Sequence, residues 1–212
     1  MRRTQLPAAL AVAIGLSLWP AIVAAAACAP AAVPGAAQVI GGAGINQALA
    51  DAAIRAEVNR QRCRAGLPPV AGSAALAAPA ARHAGWMARS RRLGHKSTLS
   101  GQATPMARLK SSGLRFRAGS ENVGLIARYR IDGMSFRIRD AAACRFATQA
   151  GAPIGEHSYA SLARTIVDLW MASPPHRRNI LDPKVKLLGS GVGFDPAAEY
   201  CGRYYVSQLF AG

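Results

Sequence analysis

Apolar positions recur at helical spacing in four segments of the chain. The periodicity predicts a first helix over 45–65, a second over 74–92 and a short third helix in "TPMARLKSSG". The fourth segment, "SYASLARTIVDLWMAS", has the strongest stripe. The side chains expected to face the core there are Leu162, Ile166, Leu169 and Trp170.

Capping residues support these helix boundaries. Ser73 is a suitable N-cap for the second helix, and Thr104 followed by Pro105 is a typical start for the third. Gly66 follows the first helix and Gly113 follows the third, as expected where a helix must stop.

Three short runs in the chain read as strands. They are "GSENVGLIA" at 119–127, "GSGVGFD" at 189–195 and "YYVSQLFAG" at 204–212, each apolar or aromatic and bounded by glycine. Helices thus dominate the first half, and strands come late without regular β-α alternation. The pattern predicts an α+β fold in which helices pack on a mainly antiparallel sheet. The Arg-rich stretch between Ala127 and His157 reads as a long excursion, with a hairpin as one alternative.

The N-terminal segment has the features of an export signal. Two arginines precede an apolar run broken by proline, and small residues follow, so residues 1–27 are predicted to be a signal peptide that ends near Ala25–Ala27. An uncleaved anchor and a lipid-modified Cys28 are the less favoured alternatives. Residues 28–44 form an Ala/Pro/Gly-rich leader without a periodic face to bury, and 45–212 form one domain. We expect a secreted or periplasmic protein.

Export would place the cysteines in an oxidising compartment, where disulfides persist. The chain has four cysteines, which allow three pairings, and no spacing that suggests a zinc knuckle. A Cys144–Cys201 bond is weakly favoured because it would tie the long excursion to a C-terminal strand. The partners of Cys28 and Cys63 stay undecided at this point.

The chain is strongly basic, with a formal net charge of +16 that falls to about +14 once Arg2 and Arg3 leave with the signal peptide. For an exported protein the available polyanions are lipid head groups, envelope polysaccharides and acidic partners, and specific nucleic-acid binding is not expected. The basic residues are spread out, and "RFR", "RYR" and "RIR" alternate basic with apolar positions as a half-wetted strand does. A solvated Arg-rich surface is the simpler interpretation, and a dedicated polyanion site is the alternative.

The segment "SPPHRRNIL" places a histidine close to the start of a predicted helix. Ser173 can cap this helix and Pro174 can occupy its first turn, which leaves His176 near the N-terminus. The helix dipole disfavours positive charge there, so the imidazole is expected to be neutral. A neutral imidazole can ligate a metal or accept a proton.

Six segments in order resemble the CAP superfamily, which contains cysteine-rich secretory proteins, antigen 5 and pathogenesis-related proteins. They are "EVNRQRCRAGLPPV", "LAAPAARHAGWMARSRRLGH", "ENVGL", "IVDLWMASPPHRRNIL", "GSGVGF" and "YYVSQLFAG". The chain is most similar to the compact bacterial secreted branch, over roughly residues 45–212. The resemblance implies an α-β-α sandwich with a central cleft.

The resemblance also implies a site in that cleft. His95, Glu121 and His176 match three of the four cleft residues of the family, and in several members the two histidines hold a divalent metal such as zinc. The fourth family position, an acid, corresponds here to Ser173. On this basis His95 and His176 are candidate metal ligands, and Glu121 is a candidate for orienting one histidine through its other ring nitrogen.

Simpler roles exist for several of the residues singled out. Glu121 could be a structural partner for an arginine, His83 is expected to be a packed or half-exposed structural histidine, and Trp170 is expected in the core. His157 is expected to be exposed in a loop, with a further ligand as the alternative. Ser173 and His176 make a poor nucleophile pair, because no acid is evident to orient the histidine.

Three functions follow as hypotheses. The leading one is an exported CAP-domain protein whose His/Glu cleft binds a small ligand or divalent metal, without established catalysis. The second is a metal-assisted extracellular hydrolase with Glu121 as base. The third is a basic module that interacts with anionic envelope polymers or lipid head groups. A small apolar ligand or lipid is a further candidate partner, and we expect a monomer.

Overall fold

A computed structural model describes residues 28–41 and 44–212 of the chain. The predicted helices are all present in it, including the one that begins in "SPPHRRNIL". The helices are α1 (Gln47–Arg64), α2 (Ala74–Ser90), α3 (Pro105–Ser111), α4 (Tyr159–Ala172) and α5 (Pro174–Ile180). Ser73 and Thr104 cap α2 and α3 as predicted, each accepting a hydrogen bond from a backbone N–H of the first turn.

The apolar stripe of α4 differs from the predicted one at a single position. Leu162, Ile166 and Trp170 are fully or almost fully buried, but Leu169 is 44% exposed. The fourth side chain of the stripe is instead Val167, two residues earlier and completely buried. Trp170 lies near the centre of the buried stripe, whereas Leu169, about 100° from it around the helix and on the side away from Val167, falls beyond the edge of the stripe.

The main sheet has four strands in the order β1-β6-β7-β2. Its strands are β1 (Ala71–Gly72), β2 (Gly119–Ala127), β6 (Leu187–Asp195) and β7 (Arg203–Ala211). Only the two-residue β1 pairs in parallel, and the other neighbours are antiparallel. Side chains of α1 and α4 pack on one face, and those of α2 and α3 pack on the other. The predicted α+β sandwich with a mainly antiparallel central sheet is confirmed.

Helix α2 lies unusually close to β6. The strand reads "LLGSGVGFD", and a Cβ atom at Gly189, Gly191 or Gly193 would collide with the backbone of α2. Glycine is required here by close approach and not by an unusual backbone angle. The contact fixes the height of α2 above the sheet and thereby the start of the loop that carries His95.

The N-terminal segment contributes more to the core than the sequence indicated. Ile40 is 1% exposed and lies in the main core with Ala36. Val39 forms a bridge with Ser158 at the start of α4, and Ile40 N–H donates to the His157 carbonyl at 3.0 Å. The segment forms no periodic face, as expected, but these residues are buried in the core nonetheless. The predicted signal peptide, 1–27, lies outside the described residues.

Two disulfides close the described chain, Cys28–Cys63 and Cys144–Cys201. Cys144–Cys201 is the pairing that the sequence favoured. Cys28–Cys63 joins the two cysteines whose partners the sequence left undecided. Because Cys28 uses its sulfur in the disulfide, a lipid modification there does not fit this structure. Disulfides persist in oxidising compartments, so both bonds fit a secreted protein.

The excursion after β2 forms a second, three-stranded sheet. Its strands β3 (Phe136–Asp140), β4 (Arg145–Thr148) and β5 (Pro153–Ile154) are antiparallel neighbours. Edge-to-face aromatic contacts hold this sheet together, among Tyr129, Phe136, Phe146 and Tyr200. Of the three alternating Arg motifs, only "RIR" lies within a strand, because "RFR" precedes β2 and "RYR" follows it. Across 28–41 and 44–212 no helix combines the length and apolarity needed to cross a membrane.

Candidate functional site

The candidate site lies at β2, which is the edge strand of the main sheet. Glu121 comes from β2 itself, His95 from the loop after α2, and His176 from α5. Sequence places these residues far apart, and the packing of α2 and α5 around the sheet edge brings their elements together. A fourth residue, Arg108 of α3, also belongs to this site and was not anticipated.

Glu121 and Arg108 form a buried, two-pronged ion pair. Arg108 Nε donates to Glu121 Oε2 at 2.6 Å, and Arg108 Nη2 donates to Oε1 at 2.7 Å. The Arg108 side chain is completely buried and that of Glu121 is 1% exposed. The remaining guanidinium donors bond the backbone carbonyls of Gln102 at 2.7 Å and His95 at 2.6 Å. Arg108 therefore fixes both the carboxylate and the loop that carries His95.

His95 hydrogen-bonds the Glu121 carboxylate and lies between the buried ion pair and solvent. Its Nδ1 lies 2.8 Å from Glu121 Oε1, and its side chain is 48% exposed. A carboxylate at this distance favours a proton on Nδ1, which leaves the Nε2 lone pair free and directed away from Glu121. Both roles that the sequence suggested for Glu121 are therefore present: it hydrogen-bonds a histidine ring and it forms an ion pair with an arginine.

The pKa of Glu121 results from opposing influences. Burial acts to raise it, but the hydrogen bonds from His95 and Arg108 and the Arg108 charge act in the other direction, and the pKa is lowered. The carboxylate is therefore ionised at neutral pH. Because both oxygens already accept hydrogen bonds, Glu121 is not free to take a proton from a substrate.

His176 is held next to this group by an amide network. Asn179 Nδ2 donates to Asn122 Oδ1 at 2.8 Å and to the Glu121 carbonyl at 3.2 Å. Asn122 Nδ2 in turn lies 3.3 Å from the His176 carbonyl. These bonds tie α5 to β2. Neither asparagine was identified from the sequence, although Asn122 stands in the quoted "ENVGL" segment.

The pKa of His176 is lowered, first by burial and second by the charge that a protonated His95 would carry. A neutral His176 was expected, but the expected cause was the helix dipole, whereas burial is the main one. The ring Nδ1 is buried without a hydrogen-bond partner.

Ser173 does not cap α5 with its side chain. It occupies the N-cap position with extended backbone, and Pro174 takes the first helical position as predicted, but the hydroxyl makes no capping bond. The capping role proposed for the Ser173 side chain is therefore not observed.

For three other residues the sequence predicted burial or exposure, and the structure confirms two of these predictions and contradicts the third. His83 is completely buried, with Nε2 2.9 Å from the Gly94 carbonyl, and Trp170 is 2% exposed with Nε1 donating to the Val123 carbonyl at 3.0 Å. Both are structural, as predicted. His157 was expected to be exposed but is 1% exposed. Residues 38–40 pair with the backbone at the start of α4, next to His157.

The donor set limits the kind of metal that this site fits. Within the described part of the chain, no group of three or more His, Cys, Asp or Glu side chains is arranged to hold an ion. Glu121 is committed to Arg108 and His95, so the available donors are the two imidazoles. That set does not fit a closed structural zinc site or a three-ligand catalytic site, and it fits an open site completed by water.

The family model of the cysteine-rich secretory protein family matches residues 55–210. The match covers more than half of the chain, so this protein belongs to that family, which the sequence resemblance identified as the CAP superfamily. No match is found among curated proteins.

Three solved structures are similar to this chain at low sequence identity. An extracellular protein containing an SCP domain from Bacillus anthracis str. Ames is 18% identical over 76% of this chain and 40% of its own, with a TM-score of 0.48. An outer surface protein from Borrelia burgdorferi is 16% identical over 74% and 88%, with a TM-score of 0.46. A cysteine-rich secretory protein from Staphylococcus aureus subsp. aureus Mu50 is 19% identical over 79% and 40%, with a TM-score of 0.46. This chain thus spans less than half the length of the Bacillus and Staphylococcus proteins.

Proposed function

We propose that this member of the cysteine-rich secretory protein family binds a divalent metal ion or a small ligand reversibly between His95 and His176. The observation that carries the proposal is the orientation of His95. Its Nδ1 is held by a carboxylate that is itself fixed by a buried arginine, so Nε2 is presented to the cleft in one defined direction. A histidine with only a structural role would not need its second nitrogen left open.

The charge state of the two rings supports the same function. The Glu121 carboxylate orients the His95 ring as a ligand, in the way that carboxylates behind metal-binding histidines do. Burial keeps His176 neutral, and only a neutral imidazole has a lone pair to give. A bound ion would supply a positively charged centre in the cleft, with water or a ligand completing its coordination.

The hydrolase alternative receives less support from this geometry. It assigns the role of general base to Glu121, but both carboxylate oxygens face donors on Arg108 and His95. The lowered pKa of Glu121 also makes the carboxylate a weak base at neutral pH. We therefore propose binding and not hydrolysis as the function of the cleft.

Calorimetric titration of the mature protein with Zn²⁺ at pH 7.5 tests this proposal. We expect one weakly held ion per chain, with binding lost in both His95→Ala and His176→Ala. In Glu121→Gln, binding should weaken by about 10-fold, because the neutral amide supports the His95 ring less well. Arg177→Ala is the matched control, since it alters an exposed neighbour of His176 and keeps both imidazoles. Zinc binding that survives both histidine substitutions would contradict the proposal, as would the absence of binding in the unmodified protein.

A further inference from the structure

A second cavity lies at the start of α4, on the opposite end of that helix from His176. It has a volume of about 350 Å³, and its lining includes His157, Asp132, Arg130, Arg164 and Thr165. Helix α4 has 14 residues, so its two ends are about 21 Å apart. The cavity is therefore separate from the His95–His176 cleft.

The most informative group in this cavity is the His157 ring. Its side chain is 2% exposed, and its Nδ1 lies 2.9 Å from the Ser161 hydroxyl oxygen. Its Nε2 is buried and has no hydrogen-bond partner, although Asp132 Oδ2 lies 3.9 Å away. The nearby carboxylate favours a proton on Nε2. Burying an N–H group without an acceptor is costly, so a ligand that supplies the acceptor would be favoured.

The helix start itself does not provide the binding groups. The Tyr159 and Ala160 amides donate to the Gln38 and Ala36 carbonyls, and the Ser161 amide donates to the Ser158 hydroxyl. The Ser161 hydroxyl is also engaged, because it accepts from the Ser158 amide at 2.9 Å in a capping box. Ser161 is therefore not a free nucleophile next to His157, and recognition must come from side chains.

Two arginines supply positive charge at the rim of the cavity. Arg130 and Arg164 are exposed, and neither forms an ion pair within 28–41 and 44–212, in contrast to Arg60 and Arg128. Asp132 is the acidic group that lines the cavity, and its oxygens accept from the Ala127 amide at 3.0 and 3.3 Å. The cavity thus holds two unpaired cations, one occupied carboxylate and an unpartnered ring nitrogen.

We propose that this cavity binds a phosphoryl group, as inorganic phosphate or as the end of a phosphate monoester. The two guanidinium groups match phosphate oxygens in charge and planar donor geometry, and His157 Nε2 donates from the cavity wall. The Thr165 hydroxyl adds a donor from the next turn of α4. The arrangement favours a compact tetrahedral dianion over a flat carboxylate, because donors approach from the wall and from both arginines.

Calorimetric titration at low ionic strength with inorganic phosphate, and separately with glycerol 2-phosphate, tests this site. Arg130→Gln and Arg164→Gln should each weaken binding by about 10-fold, since each removes one charge-assisted contact. Arg115→Gln removes the same charge at an exposed position away from the cavity and should leave the affinity unchanged. Binding of phosphate but not of glycerol 2-phosphate would identify the free ion as the ligand, and binding of both would identify the monoester end group.

Two substitutions at His157 separate its ring nitrogens. Asparagine keeps a polar atom near the Nδ1 position and loses the Nε2 donor, whereas glutamine reaches the Nε2 position. We expect His157→Asn to bind phosphate about 10-fold more weakly and His157→Gln to retain most of the affinity. If the His157 variants fail to fold, the arginine variants decide alone. The proposal would be overturned if Arg115→Gln lost as much phosphate affinity as Arg130→Gln and Arg164→Gln, or if the unmodified protein did not bind phosphate. Binding should persist in His95→Ala and His176→Ala, which keeps this test independent of the metal proposal.

Discussion

Replacing Arg108 with leucine is expected to lower the free energy of unfolding by about 3–5 kcal/mol. The substitution leaves the Glu121 carboxylate buried and without its main partner, since Arg108 supplies two of its hydrogen bonds. It also releases the Gln102 and His95 carbonyls, which accept the other guanidinium donors. Urea denaturation followed by tryptophan fluorescence measures the change.

A double variant and a surface control show whether the buried charge causes this loss. Arg108→Leu combined with Glu121→Leu should be more stable than Arg108→Leu alone, because no charge then stays buried without a partner. Arg145→Leu breaks the exposed ion pair with Asp140, where the arginine side chain is 70% exposed, and should cost far less stability than Arg108→Leu. Equal losses at the buried and exposed pairs would contradict this explanation.

Gly191→Ala is expected to destabilise the fold by about 3 kcal/mol or more, which is at the upper end for overpacking. The new methyl group would collide with backbone atoms of Ala80 and Ala81 in α2, which cannot turn aside as a flexible side chain can. Helix α2 would have to move away from β6 along its length. Thermal and urea unfolding measure the loss.

Matched variants distinguish the collision from a general effect of adding a methyl group. Gly41→Ala meets no atom within 4 Å and should leave stability almost unchanged. Removing the methyl group of the facing residue, in the double variant Gly191→Ala with Ala81→Gly, should restore little of the lost stability, because the collision is with the helix backbone. Full recovery in that double variant would show that α2 does not approach β6 as closely as described.

The sequence predicted the helices and main strands because their periodicity is local. Ser73 and Thr104 mark helix starts by contacts within one turn, and the 119–127 run has the same bounds in the structure. His176 was singled out from its place at a helix start, but its grouping with His95 and Glu121 came only from the resemblance to a family, since no local pattern shows that their elements meet. Arg108 was missed because its role depends on a partner 13 residues away in another element.

His157 shows why a local interpretation fails at a loop. The ring follows Glu156 in a polar, Gly-containing segment, which is typical of an exposed position. Residues 38–40, from more than a hundred residues earlier in the chain, run beside this segment, and Ile40 N–H donates to the His157 carbonyl. Ile40 is an isolated apolar residue in the Ala/Pro-rich segment and forms no periodic stripe, so this contact could not be predicted from the sequence pattern.

The histidine side-chain nitrogens of ¹⁵N-labelled protein, followed by long-range ¹H–¹⁵N correlation NMR during a Zn²⁺ titration, provide the most direct test of the shared cleft. We predict that Nε2 of His95 and the ring of His176 shift together at the same zinc concentrations, that His95 Nδ1 keeps its proton, and that His83 and His157 do not respond. A shift at only one of the two cleft rings, or zinc bound through His95 Nδ1, would contradict the structure-based account of this site.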